Sequence, residues 1–170
     1  MLEVGGGIGA IQIELLKAGL DRAVSVELTP SYEESAVELL REAGFSDRVE
    51  RRVMDFVDAA DDVAAADIVV MNRVVCCYPN LRRLEGAAAD HARQVLVMSF
   101  PKERWWTKIV VWMANVGMAL TRREFRLFLH PVAQILSIGE SQGLRRSMSR
   151  LGVFWEISLL LRSAGTPRPS

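Results

Sequence analysis

The sequence has no excess of charge of either sign, and it contains few of the residues that build metal or disulfide sites. Its 170 residues include 21 Lys or Arg, 21 Asp or Glu, two His and two Cys. Phosphate neutralisation needs an excess of cationic side chains, so this balance argues against a nucleic-acid-binding protein. Half of the residues are hydrophobic, which argues equally against an acidic, disordered tail protein.

The two cysteines, Cys76 and Cys77, are adjacent and cannot form an ordinary disulfide framework. A zinc site needs three or four ligands at suitable spacing, and two Cys and two unclustered His do not supply them. We therefore expect no metal site, and we interpret both cysteines as small hydrophobes rather than as a redox pair or a catalytic thiol. Such cysteine usage predicts a reducing, cytoplasmic compartment.

Secretory leaders and membrane spans are not predicted. The first residues lack a basic region followed by an apolar one. The longest apolar pattern, 105–120, contains Lys108 and Asn115 and is shorter than the ~20 residues of a span. The length fits one domain with its own core, which we assign to residues 1–163, with a frayed tail at 164–170.

Strand-like and helix-like segments alternate along the chain, which predicts an α/β fold with a mainly parallel sheet. The final two strands, 144–150 and 153–161, are expected to form an antiparallel hairpin. The other predicted strands are 2–4, 23–27, 48–54, 66–72 and 94–100. The predicted helices are 10–18, 31–43, 81–92, 105–120 and one that ends near 143.

The second helix has a start signal, since Ser31 and Glu34 have the spacing of a capping box. Gly44 suits the position after its last turn. Its expected buried stripe is Ala36, Val37, Leu39, Leu40 and Ala43.

A glycine-rich segment joins the first strand to the first helix, with the sequence Glu3-Val4-Gly5-Gly6-Gly7-Ile8-Gly9. Glycines let the backbone turn sharply and approach a ligand, and the helix that follows offers free N–H groups. Glu27 ends the second strand, where a carboxylate can accept both ribose hydroxyls. These features predict an adenosine-containing cofactor. Gly5-x-Gly7-x-x-Ala10 also satisfies the dinucleotide pattern, so the motif alone leaves two cofactors open.

At these residues the sequence resembles the class I S-adenosylmethionine-dependent methyltransferases. The segment 3–9 matches that family's acid-x-Gly-x-Gly-x-Gly signature. The resemblance implies a Rossmann-like, doubly wound fold, mostly parallel with a C-terminal antiparallel hairpin, and an enzyme that uses S-adenosyl-L-methionine. It also implies a role for each matching residue. The loop lines the methionine part of the cofactor, Glu3 helps to position it, Glu27 binds the ribose, and Asp55 and Phe56 meet the adenine.

The full set of cofactor-binding residues that the resemblance implies comes from the ends of four strands. It comprises Glu3, Gly5, Gly6, Gly7, Gly9, Glu27, Leu28, Asp55, Phe56, Asn72 and Arg73.

The chemistry of the cofactor supports this interpretation. A sulfonium compound carries no pyrophosphate, so its site needs no cluster of cations and favours carboxylates and aromatic faces. Glu3, Glu27 and Asp55 end successive strands at the ligand-binding edge of such a sheet. An NAD enzyme would explain Glu27 alone, and no Tyr-x-x-x-Lys pair is present. An NAD(P)-binding protein and a non-catalytic cofactor-binding or scaffold protein stay as alternatives.

The loop after the fourth strand lines the acceptor pocket in the resembled family, which makes Asn72 and Arg73 candidates for contact with ligand. Arg73 could equally pair with a helix acid. Tyr78 could hydrogen-bond the acceptor, cover the cofactor or pack within the loop. His130 could act as a general base, although we favour a turn or capping role. His91 is expected on the surface. Tyr78 and His130 are the weak catalytic candidates.

The helix 105–120 has an apolar stripe that we expect to pack on the sheet. Its apolar residues also cover a second face, which could line a pocket for a small hydrophobic acceptor, contact a partner such as a second copy of the chain, or lie on a membrane surface. Arg122, Arg123 and Arg126 would then reach the lipid headgroups. The stripe comprises Trp105, Ile109, Trp112, Met113, Val116 and Leu120.

Related enzymes usually carry helices ahead of the first strand, and here that strand has about three residues. We expect an N-terminal segment in the working enzyme, and we hypothesise that Met1 is a misassigned start. The sequence pattern of the resembled family allows Val at position 1, and a GTG valine codon can be read as a start codon. The missing segment also motivates the scaffold alternative.

Overall fold

The computed structural model describes residues 1–122 and 125–163; Arg123 and the predicted tail 164–170 lie outside the described residues. The described chain forms one seven-stranded sheet with helices packed against it. The strands are β1 (Leu2–Val4), β2 (Ala23–Glu27), β3 (Val49–Val53), β4 (Ala66–Asn72), β5 (Ala92–Pro101), β6 (Leu144–Leu151) and β7 (Trp155–Arg162). The helices are α1 (Ala10–Lys17), α2 (Glu33–Ala43), α3 (Leu81–His91), α4 (Trp105–Leu120) and α5 (Val132–Ser141).

The strand order is β3-β2-β1-β4-β5-β7-β6. Strands β1 to β5 are parallel, and β7 runs antiparallel to both β5 and β6. Val4 pairs with Val26 on one side and Met71 on the other, so β1, β2 and β4 end at the same edge. The connections change direction between β1 and β4, which opens a crevice at that edge.

The central parallel strands β1 and β4 are largely apolar and buried, as is typical of parallel strands with helices on both faces of the sheet, whereas β3 carries three charged residues. Leu2, Val69, Met71 and Leu96 are fully buried in the centre of the core. Helix α5 approaches the sheet closely, since a Cβ on Gly139 would lie 2.6 Å from Leu160 Cδ2. The predicted α/β fold with a parallel sheet and a C-terminal antiparallel hairpin is confirmed.

The predicted capping box is wrong. Residues 30–32 form a separate turn of 3₁₀ helix, and α2 begins only at Glu33. Pro30 opens this turn, and the Thr29 side chain accepts a hydrogen bond from the Ser31 N–H, so Ser31 lies inside the turn rather than before α2. Val37, predicted to be buried, is exposed on α2.

The predicted packing of α4 on the sheet is also wrong. Its whole predicted stripe is exposed, with Trp105 at 75%, Trp112 at 65% and Leu120 at 79%. Thr107 and Val111, on the opposite side of the helix, face the body of the protein. Periodicity identifies an apolar face, but α4 is apolar on more than one face, so the pattern did not determine which face meets the sheet.

His91, predicted on the surface, is held by three backbone carbonyls. Its Nδ1 lies 2.7 Å from the Ala87 oxygen, and its Nε2 lies 2.9 Å from that of Ala60 and 3.0 Å from that of Val63. The His91 ring lies edge-on to the Phe56 ring, with 5.2 Å between the two ring centroids. The residue therefore ties the end of α3 to the turn after β3, a long-range contact that a local helix pattern does not reveal.

Within the described residues, no helix combines the length and the apolar character that a membrane crossing requires.

Candidate functional site

The glycine-rich loop between β1 and α1 forms one wall of a crevice at the carboxyl edge of the sheet. Gly5, Gly7 and Gly9 have positive φ angles of 67°, 54° and 84°, a region that side chains rarely adopt. A Cβ on Gly5 would also overlap the Val74 side chain in the loop after β4. The loop thus fits against its neighbour only because position 5 has no side chain.

The Glu27 carboxylate lies at the end of β2 and bonds to the glycine loop. Its Oε2 accepts a hydrogen bond from the Gly7 N–H at 2.9 Å, and its Oε1 accepts one from the Thr29 N–H at 3.2 Å. The side chain is 7% exposed, and it lines the crevice. Two backbone donors therefore orient this carboxylate, and its remaining lone pairs are available to a ligand.

Arg51 in β3 supports the loop from beneath, and the sequence analysis missed it. Its Nη2 donates to the Gly7 carbonyl at 3.1 Å, while its Nε donates to both carboxylate oxygens of Glu33, at 3.1 and 3.2 Å. Its Nη1 donates to Ser25 Oγ at 3.4 Å. No local signal marks this residue, because its partners are separated from it by 18 to 44 positions.

Glu3 is buried behind the glycine loop rather than exposed in the crevice. Its side chain is 1% exposed, and its Oε2 has no hydrogen-bond partner. A Cβ on Gly6 would lie 3.0 Å from this oxygen, so the carboxyl group packs directly against the loop backbone. Burial raises the pKa of Glu3 to about 7, and the charge of Arg51 opposes that rise.

Asp55, which follows β3, faces Tyr78 from the loop after β4. The Tyr78 hydroxyl donates to the Asp55 carboxylate, 3.2 Å from each oxygen, and the Val57 N–H donates to Oδ1 at 2.8 Å. Burial, together with the Asp55 charge, raises the pKa of Tyr78. Phe56, beside Asp55, is 4% exposed, and it also lines the crevice.

Asn72 and Arg73 are arranged by Ser99 on the neighbouring strand β5. The Ser99 hydroxyl donates to Asn72 Oδ1 at 2.6 Å, and it accepts from the Arg73 N–H at 2.9 Å. Arg73 has a positive φ of 62°, and its guanidinium lies 5.0 Å from the Trp155 ring centroid. Among the described ion pairs, Arg73 forms none with a helix acid; it stacks on an aromatic ring instead.

The crevice has a volume of about 680 Å³, which is in the range of small-molecule sites. Arg73 is the one cationic side chain among its described lining residues, against the acids Glu27 and Asp55. Eight of the predicted cofactor-binding residues line it, namely Gly5, Gly7, Glu27, Leu28, Asp55, Phe56, Asn72 and Arg73. The sequence analysis missed ten lining residues, which are Val4, Val26, Thr29, Ser31, Tyr32, Met54, Val74, Cys77, Leu84 and Phe125.

Three predicted cofactor-binding residues, Glu3, Gly6 and Gly9, lie behind the lining rather than in it. His130 is also set back: its Nε2 lies 3.2 Å from the Tyr78 carbonyl oxygen, and its ring stacks on Phe128 at 6.1 Å. The structure therefore brings together Glu27, Asp55 and Tyr78 but leaves His130 as a support of the Tyr78 loop.

The two cysteines differ in their surroundings. Cys76 is 3% exposed, whereas Cys77 is half-buried and lines the crevice. The interpretation of both as buried hydrophobes is therefore wrong for Cys77, which borders the crevice. Within the described residues, no group of three His, Cys, Asp or Glu could hold a metal ion.

No protein-family model matches the chain, and no curated protein matches it by sequence. Among solved structures, magnesium protoporphyrin IX methyltransferase from Synechocystis PCC 6803 with bound SAH is similar, with a TM-score of 0.77 and 18% identity. An O-methyltransferase family protein from Burkholderia thailandensis has a TM-score of 0.79 and 20% identity. Geranyl diphosphate C-methyltransferase from Streptomyces coelicolor A3(2) has a TM-score of 0.72 and 14% identity.

These comparisons cover 95%, 97% and 95% of this chain and 73%, 51% and 70% of the respective structures. The chain thus spans between about half and three quarters of their lengths. At such identities the likeness establishes the fold, which is the Rossmann-like fold of methyltransferases.

Proposed function

We propose that this protein transfers a methyl group from S-adenosyl-L-methionine to a small, apolar acceptor. The observation that carries the proposal is the pairing of a glycine loop with three carboxyl groups at successive strand ends, Glu3, Glu27 and Asp55. A crevice lined by two carboxylates, with a third buried behind its glycine loop, suits a cationic sulfonium and disfavours a pyrophosphate. The shared fold of methyltransferases supports the same choice.

The residues present fit this cofactor. Glu27 would accept the ribose hydroxyls, because two backbone N–H groups already orient its carboxylate. Asp55 would accept the adenine amino group beside the ring of Phe56. Glu3 lies behind the loop, where one of its carboxylate oxygens has no partner, and its charge there would favour a cationic amine on the crevice side of the loop.

When bound, the cofactor supplies an electrophilic methyl group. The chain contributes alignment and the exclusion of water, because neither catalytic candidate, Tyr78 or His130, presents a free base to the crevice. The Tyr78 hydroxyl has a raised pKa and already donates to Asp55. His130 bonds to a carbonyl outside the crevice. We therefore propose catalysis by positioning, for which correct alignment alone can supply a large part of the acceleration.

Calorimetry with S-adenosylhomocysteine and with NAD tests the cofactor. We expect binding of S-adenosylhomocysteine alone, and Glu27→Gln should weaken it by about tenfold or more, since a hydrogen bond to a charged group is lost. Glu34→Gln is the matched control, because Glu34 is an exposed acid outside the crevice. Selective binding of NAD would contradict the proposal and favour a dinucleotide-binding protein.

Radiolabelled methyl transfer to a panel of acceptors tests the chemistry. We expect labelled product with apolar hydroxyl, amine or activated-carbon acceptors. Binding of S-adenosylhomocysteine without any turnover across the panel would favour the non-catalytic scaffold alternative.

We also propose that the exposed face of α4 rests on an anionic membrane surface, through which an apolar acceptor would arrive. Phe125 lines the crevice and follows the last residue of α4 by five positions, so the C-terminal end of α4 is close in sequence to the site. The face is rich in tryptophan and aliphatic residues, and Lys108 is the one charged residue of the helix. Interfacial helices combine such a face with flanking cations.

The charge around α4 favours anionic lipid over a second copy of this neutral chain as the partner of its exposed face. Residues 102–126 contain six cations and two acids, Glu103 and Glu124. Glu103 already lies 3.8 Å from Lys108. The cations are Lys102, Arg104, Lys108, Arg122, Arg123 and Arg126.

Vesicle sedimentation tests this surface. The protein should bind vesicles that contain phosphatidylglycerol, release at high salt, and lose binding in the double variant Trp112→Ser, Leu120→Ser. Val37→Ser, an exposed apolar residue on α2, is the control and should bind unchanged. Self-association that the double variant abolishes, without vesicle binding, would instead assign the face to a homo-oligomer contact.

We propose that the protein works in the cytoplasm, because its two free thiols favour a reducing compartment.

A further inference from the structure

Cys76 and Cys77 form a close pair of thiols at the wall of the crevice. Their Sγ atoms are 3.6 Å apart, and each lies 3.4 Å from the Arg73 carbonyl oxygen. A tight turn, closed by the Cys77 N–H donating to the Val74 carbonyl at 2.8 Å, brings the side chains together. The methyl-transfer proposal uses neither thiol.

The two thiols are chemically unequal. Cys76 is buried, whereas Cys77 is half-buried and lines the crevice. The hydrogen bond between the two sulfurs, in which either Sγ can be the donor, raises the pKa of Cys76 and lowers that of Cys77. The accessible Cys77 sulfur is therefore also the one that ionises more readily, and its thiolate is the nucleophile.

We propose that Cys76 and Cys77 are a redox modification site, at which a small peroxide converts the pair into a disulfide in the crevice wall. In the first step the Cys77 thiolate attacks one peroxide oxygen; the O–O bond breaks, hydroxide leaves, and Cys77 becomes a sulfenic acid. In the second step the Cys76 sulfur attacks the Cys77 sulfur and expels its oxygen as water, which carries the Cys76 proton. Both thiols are oxidised, and the peroxide is reduced to two waters.

Ring closure must change the crevice wall. A disulfide needs its sulfurs at about 2.05 Å, so the present separation has to shrink. Cys76 is buried, and its carbonyl accepts from the Phe128 N–H at 2.7 Å, so Cys77 is the partner that moves. The next residue is Tyr78, whose hydroxyl bonds to Asp55. Oxidation is thus expected to disturb that contact and to weaken cofactor binding, an effect that rests on the proposed function.

Intact-mass spectrometry of the full chain tests the modification. Hydrogen peroxide at a small excess should remove two hydrogens from the wild type, and dithiothreitol should restore them. Cys76→Ser should instead gain oxygen at Cys77, because no resolving thiol is present. Cys77→Ser should stay unmodified, since Cys76 is buried. Oxygen addition without a disulfide in the wild type, or a disulfide only between chains, would overturn the proposal.

Calorimetry with S-adenosylhomocysteine tests the coupling separately. The affinity for S-adenosylhomocysteine should fall by about tenfold in the oxidised protein and should recover on reduction. A change of this size corresponds to the loss of one hydrogen bond to a charged group, here that between Tyr78 and Asp55. Unchanged affinity after complete disulfide formation would overturn the coupling. If the reduced protein does not bind S-adenosylhomocysteine, the proposed cofactor fails, and the mass result still decides the thiol chemistry.

Discussion

The Arg51 guanidinium donates a hydrogen bond to the Gly7 carbonyl at 3.1 Å, across 44 positions of sequence. The same guanidinium bonds to Glu33 at the start of α2. One buried cation therefore connects the glycine loop, the third strand and the second helix. Because the Gly7 N–H also donates to Glu27, hydrogen bonds hold both the N–H and the carbonyl group of Gly7.

Replacing Arg51 tests this support. Arg51→Met keeps an unbranched apolar stem but removes three bonded partners, so we expect binding of S-adenosylhomocysteine to weaken by roughly tenfold. Arg52→Met is the control: Arg52 bonds to Glu50 and to the Asp62 carbonyl, and it does not line the crevice. Calorimetry compares the two, and equal losses in both variants would show that Arg51 acts through general stability alone.

The pH dependence of binding tests the role of Glu3. Its pKa is about 7 because of burial, so the group changes from neutral to charged as the pH rises through that value. The charged form attracts a cationic amine on the crevice side of the loop, and affinity for S-adenosylhomocysteine should therefore increase from pH 6 to pH 8. In Glu3→Gln this increase should disappear. A wild-type affinity that is flat over the same range would contradict the assignment.

The pH dependence of stability tests Glu85, a fully buried residue of α3 without a hydrogen-bond partner for either carboxylate oxygen. Burial raises the pKa of Glu85 from 4.5 to about 8. The folded state holds this proton between those values and the unfolded state does not, so stability falls as the pH rises through that window. In denaturant unfolding, the free energy of unfolding of the wild type should fall by up to about 4 kcal/mol more than that of Glu85→Gln between pH 4.5 and 8. An equal change in both proteins over this range would refute the prediction.

Alanine at Gly5 tests the fit of the glycine loop. Gly5 and Gly44 have similar φ angles, 67° and 74°, but a Cβ meets the Val74 side chain at Gly5 and nothing within 4 Å at Gly44. Gly44→Ala should cost about 1–2 kcal/mol of unfolding free energy, the price of the backbone conformation. Gly5→Ala should cost more, because the side chains also overlap. If urea unfolding shows equal losses of unfolding free energy in Gly5→Ala and Gly44→Ala, the expected overlap with Val74 is contradicted.

Removal of the Tyr78 hydroxyl separates cofactor support from catalysis. Tyr78→Phe keeps the ring in the crevice wall and deletes the bond to Asp55. We expect KM for the cofactor to rise by a few-fold while kcat changes little, since the hydroxyl holds a binding residue. A fall in kcat at an unchanged KM would instead assign the hydroxyl to the acceptor.

Much of the fold was predictable because it depends on neighbouring residues. Apolar runs of strand length gave β2 and β4 with their observed limits, 23–27 and 66–72, and residues 105–120 form a helix as predicted. The glycine loop and the acid at the end of β2 were predictable as well. The ends of parallel strands meet at one edge, so Glu27 and Asp55 had to come near the loop once the sheet was parallel.

By itself, the sequence determined the order of strands and helices, the position of the glycine loop and the strand ends that carry acids, since local periodicity and backbone freedom decide these. Only the tertiary structure decided that Arg51 holds Gly7, that Glu3 lies buried behind the loop, and that the apolar stripe of α4 faces outward. The reason is that burial and long-range hydrogen bonds depend on which surfaces meet, and residues far apart in the chain compete for the same space.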